Sequence, residues 1–578
     1  MIKSKLLLLF LLTTSLKLAA QTVDTVNKNK DLEFITGSKI EVASLTPLQT
    51  NNLTVLGKIW GFLKYYHPAV GKGNYNWDFE LFRVTPKILA AKTDQERNKV
   101  LFNWISALGT FKTSEKVPVA KGNIKYKPNF SWFKSNKLSP EIISLLNTIQ
   151  QAERREENYY VKLYDAETPI AIFKNEADYS SLKYPDAGYR LLALFKFWNI
   201  YEYFSPYKNL TDKPWSGILN EYITKLISAK NELEYKLIIA ALVAETKDSH
   251  SDISTLEFPL RSYFGIYSPN VVIDFVAELP VVSYSKDEGT IPRSLKKGDV
   301  IQQINGVPVA KLIKEKSQYI TASNRTMELK KLSALLLRTK DTLLRVTFMR
   351  DKKIDTIELK CHHLNRMYYG KPLPADTGFR MINPDIAYIH ASRIGTRLKS
   401  VMPIAINTKA MILDLRTYPK PTSFGWDIGK FLFNEPAEVA RYTAVNIEAP
   451  GLFTYLPDDY MAHVRIGAVN PSPYKGRVIV LVNEETWSLG ELTAMALRAG
   501  PNTIIVGSQT AGADGSVGLP VSFPGGQSVG FTQIGVYYPN GKETQRIGIV
   551  PNVKVKPTIQ GIKEDRDEIL EKAISLVN

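Results

Sequence analysis

Two stretches of the chain, Leu53 to Phe82 and Tyr189 to Leu219, carry the same landmarks in the same order. Trp60 stands eight residues before Pro68 and seventeen before Trp77, and Trp198 stands eight before Pro206 and seventeen before Trp215. This is an internal duplication with an offset of 138 residues. In each copy the apolar residues recur at helical spacing until the proline, which cannot donate a backbone hydrogen bond and stops the helix. The pattern predicts two copies of one helical unit, with the tryptophans as packing residues. The copies diverge at their ends. Where the first reads Ala107-Leu108-Gly109-Thr110-Phe111-Lys112, the second reads Glu245-Thr246-Lys247-Asp248-Ser249-His250-Ser251-Asp252. Only the second carries a histidine, at the position of Lys112, flanked by two serines and two aspartates. Such neighbours can hold an imidazole in one tautomer and make it a general base.

At 578 residues the chain needs three or four cores. Residues 1–20 have Lys3 and Lys5, an apolar run from Leu6 to Leu12, and Ala19-Ala20, the pattern of a secretory signal. No later run approaches the roughly 18 apolar residues of a membrane span. An exported protein without stable membrane insertion is expected. Residues 21–50 read as a linker, 51–120 as the first helical repeat, 121–185 as an irregular connection, and 186–255 as the second repeat, carrying the Ser-His pair. The net charge of +17 is spread along the sequence without a basic block, which argues against nucleic acid as a partner. Cys361 is the only cysteine, so no internal disulfide is possible. Cys361-His362-His363 has no further ligands at metal-site spacing. No metal or cofactor is expected.

Residues 256–362 change to short strands and turns. Within them Leu295-Lys296-Lys297-Gly298-Asp299-Val300-Ile301-Gln302-Gln303-Ile304-Asn305-Gly306 resembles the signature of PDZ domains, which bind chain ends by strand addition. Tyr263-Phe264-Gly265-Ile266 is the candidate carboxylate-binding loop, with Phe264, Gly265 and Ile266 as substrate-binding residues. From residue 363 to 578 strands and helices alternate, which argues for an α/β core. The stretch Gly476 to Gly515 reads as strand, turn, helix, strand, with Ser488 opening the helix. A serine at a sharp strand-to-helix turn presents its hydroxyl near helix amides and is a candidate nucleophile. Ser488-Leu489-Gly490-Glu491 is equally a capping box, in which the serine only satisfies helix N–H groups. Local sequence leaves both readings open.

The order of parts resembles the tail-specific, or C-terminal processing, serine peptidases. The resemblance rests on Leu413-Asp414-Leu415-Arg416 ending a strand, Thr486-Trp487-Ser488-Leu489-Gly490-Glu491, Thr510-Ala511-Gly512, and Gly548-Ile549-Val550-Pro551-Asn552. It implies a multidomain α/β protein with a duplicated helical N-terminal region, a PDZ-like module and a ClpP/crotonase-like core. It also implies that Ser488 forms an acyl-enzyme on a peptide or unfolded protein. One branch of the family places a lysine in the loop after the serine's helix, where this chain has Ala513. The other branch, typified by the tricorn core protease, places a serine-histidine pair before the PDZ-like module, matched by Ser249-His250. On that resemblance His250 is the base, Ser249 assists its orientation, and Gln545, or Glu543 two residues earlier, stands for the family's orienting glutamate. The family's glycine-rich turn after Asp-Leu-Arg is replaced by Thr417-Tyr418-Pro419-Lys420-Pro421. The oxyanion donors would then be the backbone N–H of Leu489 together with that of Tyr418 or Lys420. The alternative is a catalytically weak or inactive homologue that binds peptides or apolar ligands.

Overall fold

The computed structural model describes residues 31–114, 123–154, 158–165, 168–255, 257–289, 294–366, 378–457 and 464–577. The expected signal segment 1–20 and the first part of the expected linker lie outside the described residues. Among the described residues, no helix is long and apolar enough to cross a membrane.

The duplication is visible as two helix pairs: α1 (Pro47–Tyr66) with α2 (Trp77–Ala90), and α3 (Ala187–Phe204) with α4 (Trp215–Ser228). Within each pair the tryptophans clasp reciprocally. Trp60 and Trp77 each donate the indole N–H to the other's carbonyl at 2.9 and 3.0 Å, and Trp198 and Trp215 do the same at 2.9 and 3.1 Å. The two pairs then meet along α1 and α3 through their own counterparts. A Cβ on Gly57 would lie 2.6 Å from the Phe195 ring, and one on Gly61 would overlap Asn199. Tyr65 packs on Tyr203 with ring centroids 5.7 Å apart. Each of these contacts joins a residue to the one 138 positions later, so the repeats are related by a pseudo-two-fold axis between α1 and α3. Glycine is required on α1 because the counterpart side chain fills the space. The expected linker is folded in its second half. Phe34 and Ile40 are buried, and Ser38 donates through N–H and Oγ to the Asp186 carboxylate at 2.6 and 2.5 Å. Two isolated apolar residues have no periodicity to betray this.

Helix α5 (Glu232–Ala244) leads to the histidine loop and then to the β-rich module. There β1 (Val271–Val276), β2 (Leu279–Ser285), β3 (Val300–Ile304), β4 (Leu343–Arg350) and β5 (Lys353–Lys360) form an antiparallel sheet in the order β5-β4-β3-β2-β1. Asn305 and Gly306 both have positive φ, 50° and 77°, as the two-residue hairpin turn requires. Helix α6 (Arg325–Leu336) lies between β3 and β4 in sequence.

In the α/β core, β6 (Phe379–Asn383) is antiparallel to β7 (Ile386–His390). From β7 the sheet runs parallel through β8 (Ala410–Asp414), β9 (Arg477–Val482), β10 (Thr503–Gly507) and, after β11 below, β12 (Val553–Lys554). Alternation along β9 sends Val478, Val480 and Val482 to the face covered by α7 (Leu489–Arg498), while Ile479 and Leu481 meet Ile569 and Ala573 of α8 (Glu568–Ser575). A second antiparallel sheet contains Arg441–Val445, Phe453–Tyr455 and β11 (Thr532–Tyr537). Its outer strand is Ile124–Tyr126, so the expected irregular connection supplies part of the core.

Candidate active site

The parallel strands place the turns after β8, β9 and β10 at one edge of the sheet, where α/β proteins keep their ligands. After β9 the chain turns through Asn483 to Trp487 and reaches Ser488 with φ 52° and ψ −122°. That conformation is costly for a residue with a Cβ, on the order of 1–3 kcal/mol. The surroundings impose it. The Ser488 N–H donates to the Ala513 carbonyl at 2.9 Å. The buried Glu491 carboxylate takes the N–H groups of Gly512 and Ala513, each at 2.8 Å, and that of Ser488 at 3.3 Å. It also accepts from the Thr510 hydroxyl. Burial pushes the Glu491 carboxyl above the usual range, and these donors oppose the shift. The acid of the expected capping box thus ties the 510–513 loop to the start of α7 and fixes the strained serine. Position 513 holds a fully buried alanine.

His250 comes from the loop after α5, 238 residues upstream. Its Nδ1 is 3.1 Å from Thr532 Oγ1 on β11 and 3.5 Å from Asp248 Oδ1. Asp248 is completely buried. Its Oδ1 accepts the backbone N–H of His250 at 3.1 Å, and its Oδ2 accepts the backbone N–H of Thr532 at 2.9 Å. Burial alone would raise the Asp248 pKa, but the hydrogen bond to His250, its charge and the Thr532 donors hold it down at about 2. Asp248 is the acid that sequence reasoning missed as a functional residue. Its signal was the Asp-Ser-His string itself.

The residues expected to orient the histidine lie elsewhere in this network. Gln545 donates from Nε2 to Asp248 Oδ1 and to Ser323 Oγ, both at 3.3 Å, and accepts the Asp514 N–H at 3.1 Å. It backs the aspartate. Ser249 exchanges hydrogen bonds with Ser323: its Oγ lies 3.0 Å from Ser323 Oγ and accepts the Ser323 N–H at 2.8 Å. Ser249 therefore anchors the loop to the N-terminus of α6. Glu543 faces away, accepting from Tyr126 at 2.9 Å and pairing with Lys125 at 3.2 Å.

Trp487, next to Ser488 in the chain, has its ring 5.6 Å from that of His250 and 6.0 Å from that of Tyr418. Leu489 occupies the first position of α7, where helix geometry supplies no intrahelical acceptor for the N–H. The Lys420 N–H is removed from the expected oxyanion donors, because it is spent on the Ala391 carbonyl at 2.9 Å. The Tyr418 phenol instead lies against the Ser488 side chain. Burial raises its pKa, so it stays protonated and able to donate.

Of the expected carboxylate-binding loop, Phe264 and Gly265 are buried, Ile266 is half-buried and Tyr263 is exposed. Phe264 is buried with the Lys316 ammonium 5.3 Å above its ring, and the Gly265 N–H bonds to Arg261 at 3.0 Å. The Gly265 carbonyl takes Arg338 Nε at 2.9 Å, and the Ile266 carbonyl takes the Leu364 N–H at 2.9 Å. Gly265 serves the junction with the 338–339 segment, and Phe264 packs against Tyr319.

Residues 385–555 match the family model of peptidase family S41. No curated protein sequence matches the chain. Among solved structures, mature CPAF complexed with lactacystin is 13% identical, with 68% of this chain and 98% of that chain covered and a TM-score of 0.52. The photosystem II D1 C-terminal processing protease is 17% identical over 65% of this chain and 96% of its own, with a TM-score of 0.36. The tricorn protease is 14% identical over 74% of this chain and 42% of its own, with a TM-score of 0.31.

Proposed function

We propose that this chain, a serine-type peptidase with an S41-family segment at residues 385–555, cuts peptide bonds through Ser488, His250 and Asp248. Its substrates would be peptides or unfolded proteins met outside the cytoplasm, the location suggested by the signal-like residues 1–20. The observation that supports the reading is a strained serine whose chain neighbour, Trp487, has its ring 5.6 Å from that of an Asp248-bound histidine. With Nδ1 engaged by Asp248 and Thr532, Nε2 is left to take the Ser488 proton as the hydroxyl attacks the carbonyl carbon. The same proton then passes to the leaving amine, and water repeats the cycle on the acyl-enzyme. Asp248, held ionised, stabilises the imidazolium without accepting its proton.

Fluorophosphonate labelling of the full chain tests this directly. Labelling is expected at Ser488, absent in Ser488→Ala, and slowed at least about 10³-fold in His250→Ala. Labelling at an unchanged rate in His250→Ala would sink the pair.

Tyr418 enters the same reading as the second oxyanion donor, through its phenol. As the tetrahedral oxyanion forms beside Leu489 N–H, the hydroxyl resting on Ser488 turns to it. Tyr418→Phe is expected to lower kcat by about 10²–10³ with KM within twofold, the cost of one oxyanion donor. A kcat within threefold of wild type would return the role to a backbone amide.

A further inference from the structure

The pseudo-two-fold axis generates two equivalent positions beside α1 and α3, one plugged and one open. In the plugged one, Lys196 Nζ pairs with Asp78 at 3.2 Å and with Glu176 at 3.0 Å, while Lys64 Nζ meets Glu176 at 2.5 Å. All four side chains are at least nine-tenths buried. Tyr179 donates to Asp78 at 2.9 Å, and Lys64 lies 4.5 Å over the Tyr160 ring. Two lysines meet two carboxylates, and the position is neutral.

The 138-residue offset carries Lys196 onto Lys58, Lys64 onto Glu202 and Asp78 onto Ser216. Lys58, Glu202 and Ser216, together with Trp198 and Trp215, line a cleft of about 520 Å³. The carboxylate that Asp78 provides in the twin is a hydroxyl here, and the space held there by the Glu176 segment is the cleft itself. Other charges along the wall are already matched: Lys208 with Glu202 at 2.6 Å, Lys213 with Glu221 at 2.9 Å, and Asp212 with Arg546 at 2.6 Å. Lys58 makes no ion pair among the described residues, although only 8% of it is exposed. Burial lowers its pKa, with Glu202 opposing the shift from a distance. The cleft is one negative charge short of its twin.

We propose that this cleft is a carboxylate-binding site that takes an acidic side chain of a peptide, seated on Lys58 as Glu176 is seated on Lys196. The twin supplies the template: the segment Phe173-Lys174-Asn175-Glu176-Ala177, turned at Asn175, delivers one carboxylate to two buried lysines beside a tryptophan clasp. The ligand adds the missing charge and finds a donor preorganised in a partly desolvated wall, where a charge-assisted hydrogen bond is worth more than in water. The proposal does not depend on the chemistry at Ser488, because the cleft is lined by residues of the helical repeats and of the 129–135 segment.

The full chain carrying Ser488→Ala, which leaves the probe uncut, is titrated calorimetrically with a capped peptide of sequence Phe-Lys-Asn-Glu-Ala. The Glu peptide is expected to bind at least tenfold more tightly than the same peptide with Gln. Ser216→Asp, which restores the twin's carboxylate on an exposed position, is expected to abolish that preference with the fold intact. Lys58→Met is expected to do the same, and Lys58→Arg to retain it. Equal binding of the Glu and Gln peptides, no saturable binding at millimolar concentration, or a preference untouched by Ser216→Asp would overturn the proposal. Glutarate binding as tightly as the Glu peptide would assign the site to free dicarboxylates and overturn the peptide assignment.

Discussion

Asp248→Asn is expected to lower kcat about 10⁴-fold at neutral pH while leaving KM nearly unchanged. An amide at this position keeps the size of the carboxylate but can present an N–H to Nδ1, selecting the tautomer with its proton on the wrong nitrogen, and it removes the charge that balances the imidazolium. Gln545 is the informative neighbour. Its Nε2 is 3.3 Å from Asp248 Oδ1, so a glutamate there would bring two buried carboxylates into hydrogen-bonding range. One of them would have to hold a proton. Gln545→Glu alone should therefore move the acidic limb of the kcat profile to higher pH. In the Asp248→Asn background the same change returns a negative charge one step behind the histidine, and a recovery of at least tenfold over Asp248→Asn is expected. Because the folded Asp248 pKa is depressed to about 2, its contribution to stability is present above about pH 3.9 and is lost as pH falls toward 2. The kinetic effect at pH 7 is thus separable from acid unfolding. A kcat for Asp248→Asn within tenfold of wild type would remove Asp248 from the catalytic set.

The glutamine at 545 looks like a defect only while the acid is sought where the sequence resemblance implied a glutamate. The structure places the charge two residues before the histidine, in the same loop, and leaves an amide behind it where a second acid would be repelled. That arrangement was legible in Asp248-Ser249-His250 as residue types. What the string could not say is which side chain turns inward, because this depends on Thr532 of β11 and Ser323 at the start of α6, both distant in sequence. The α/β core was legible because β9 and α7 carry their burial pattern locally. Lys420 was misread for the opposite reason: its N–H is satisfied by Ala391, a contact between the segments that follow the neighbouring strands β7 and β8. The duplication was legible from tryptophan and proline spacing, while its asymmetry emerged only when Glu176 was seen to fill one side.

That asymmetry makes Glu176→Gln the largest expected stability effect in the helical region. The change leaves Lys64 and Lys196, each 1% exposed at the side chain, with Asp78 as their only remaining carboxylate among the described residues. Removing one partner of a buried charge set costs about 3–5 kcal/mol, because the orphaned ammonium is left in a medium that solvates it poorly. Desolvation pulls against both partners, yet the surrounding charges hold Asp78 below its ordinary pKa and Lys196 above its own. The Asp78 contribution is therefore present above about pH 3.9 and lost below it, and the Lys196 contribution is present below about pH 10.4 and lost above it. The control on the open side is Glu202→Gln, at the position equivalent to Lys64, where Lys208 and Lys58 face a cleft that water can enter. A smaller cost of about 2 kcal/mol is expected there, because the pair is mostly buried but water in the cleft can reach the freed ammonium groups. Denaturant unfolding followed by tryptophan fluorescence reads both, since Trp60, Trp77, Trp198 and Trp215 report on the two clasps. Equal losses for the two variants would mean that the open side is as dry as the plugged one, and the cleft would then have no place for a ligand's carboxylate.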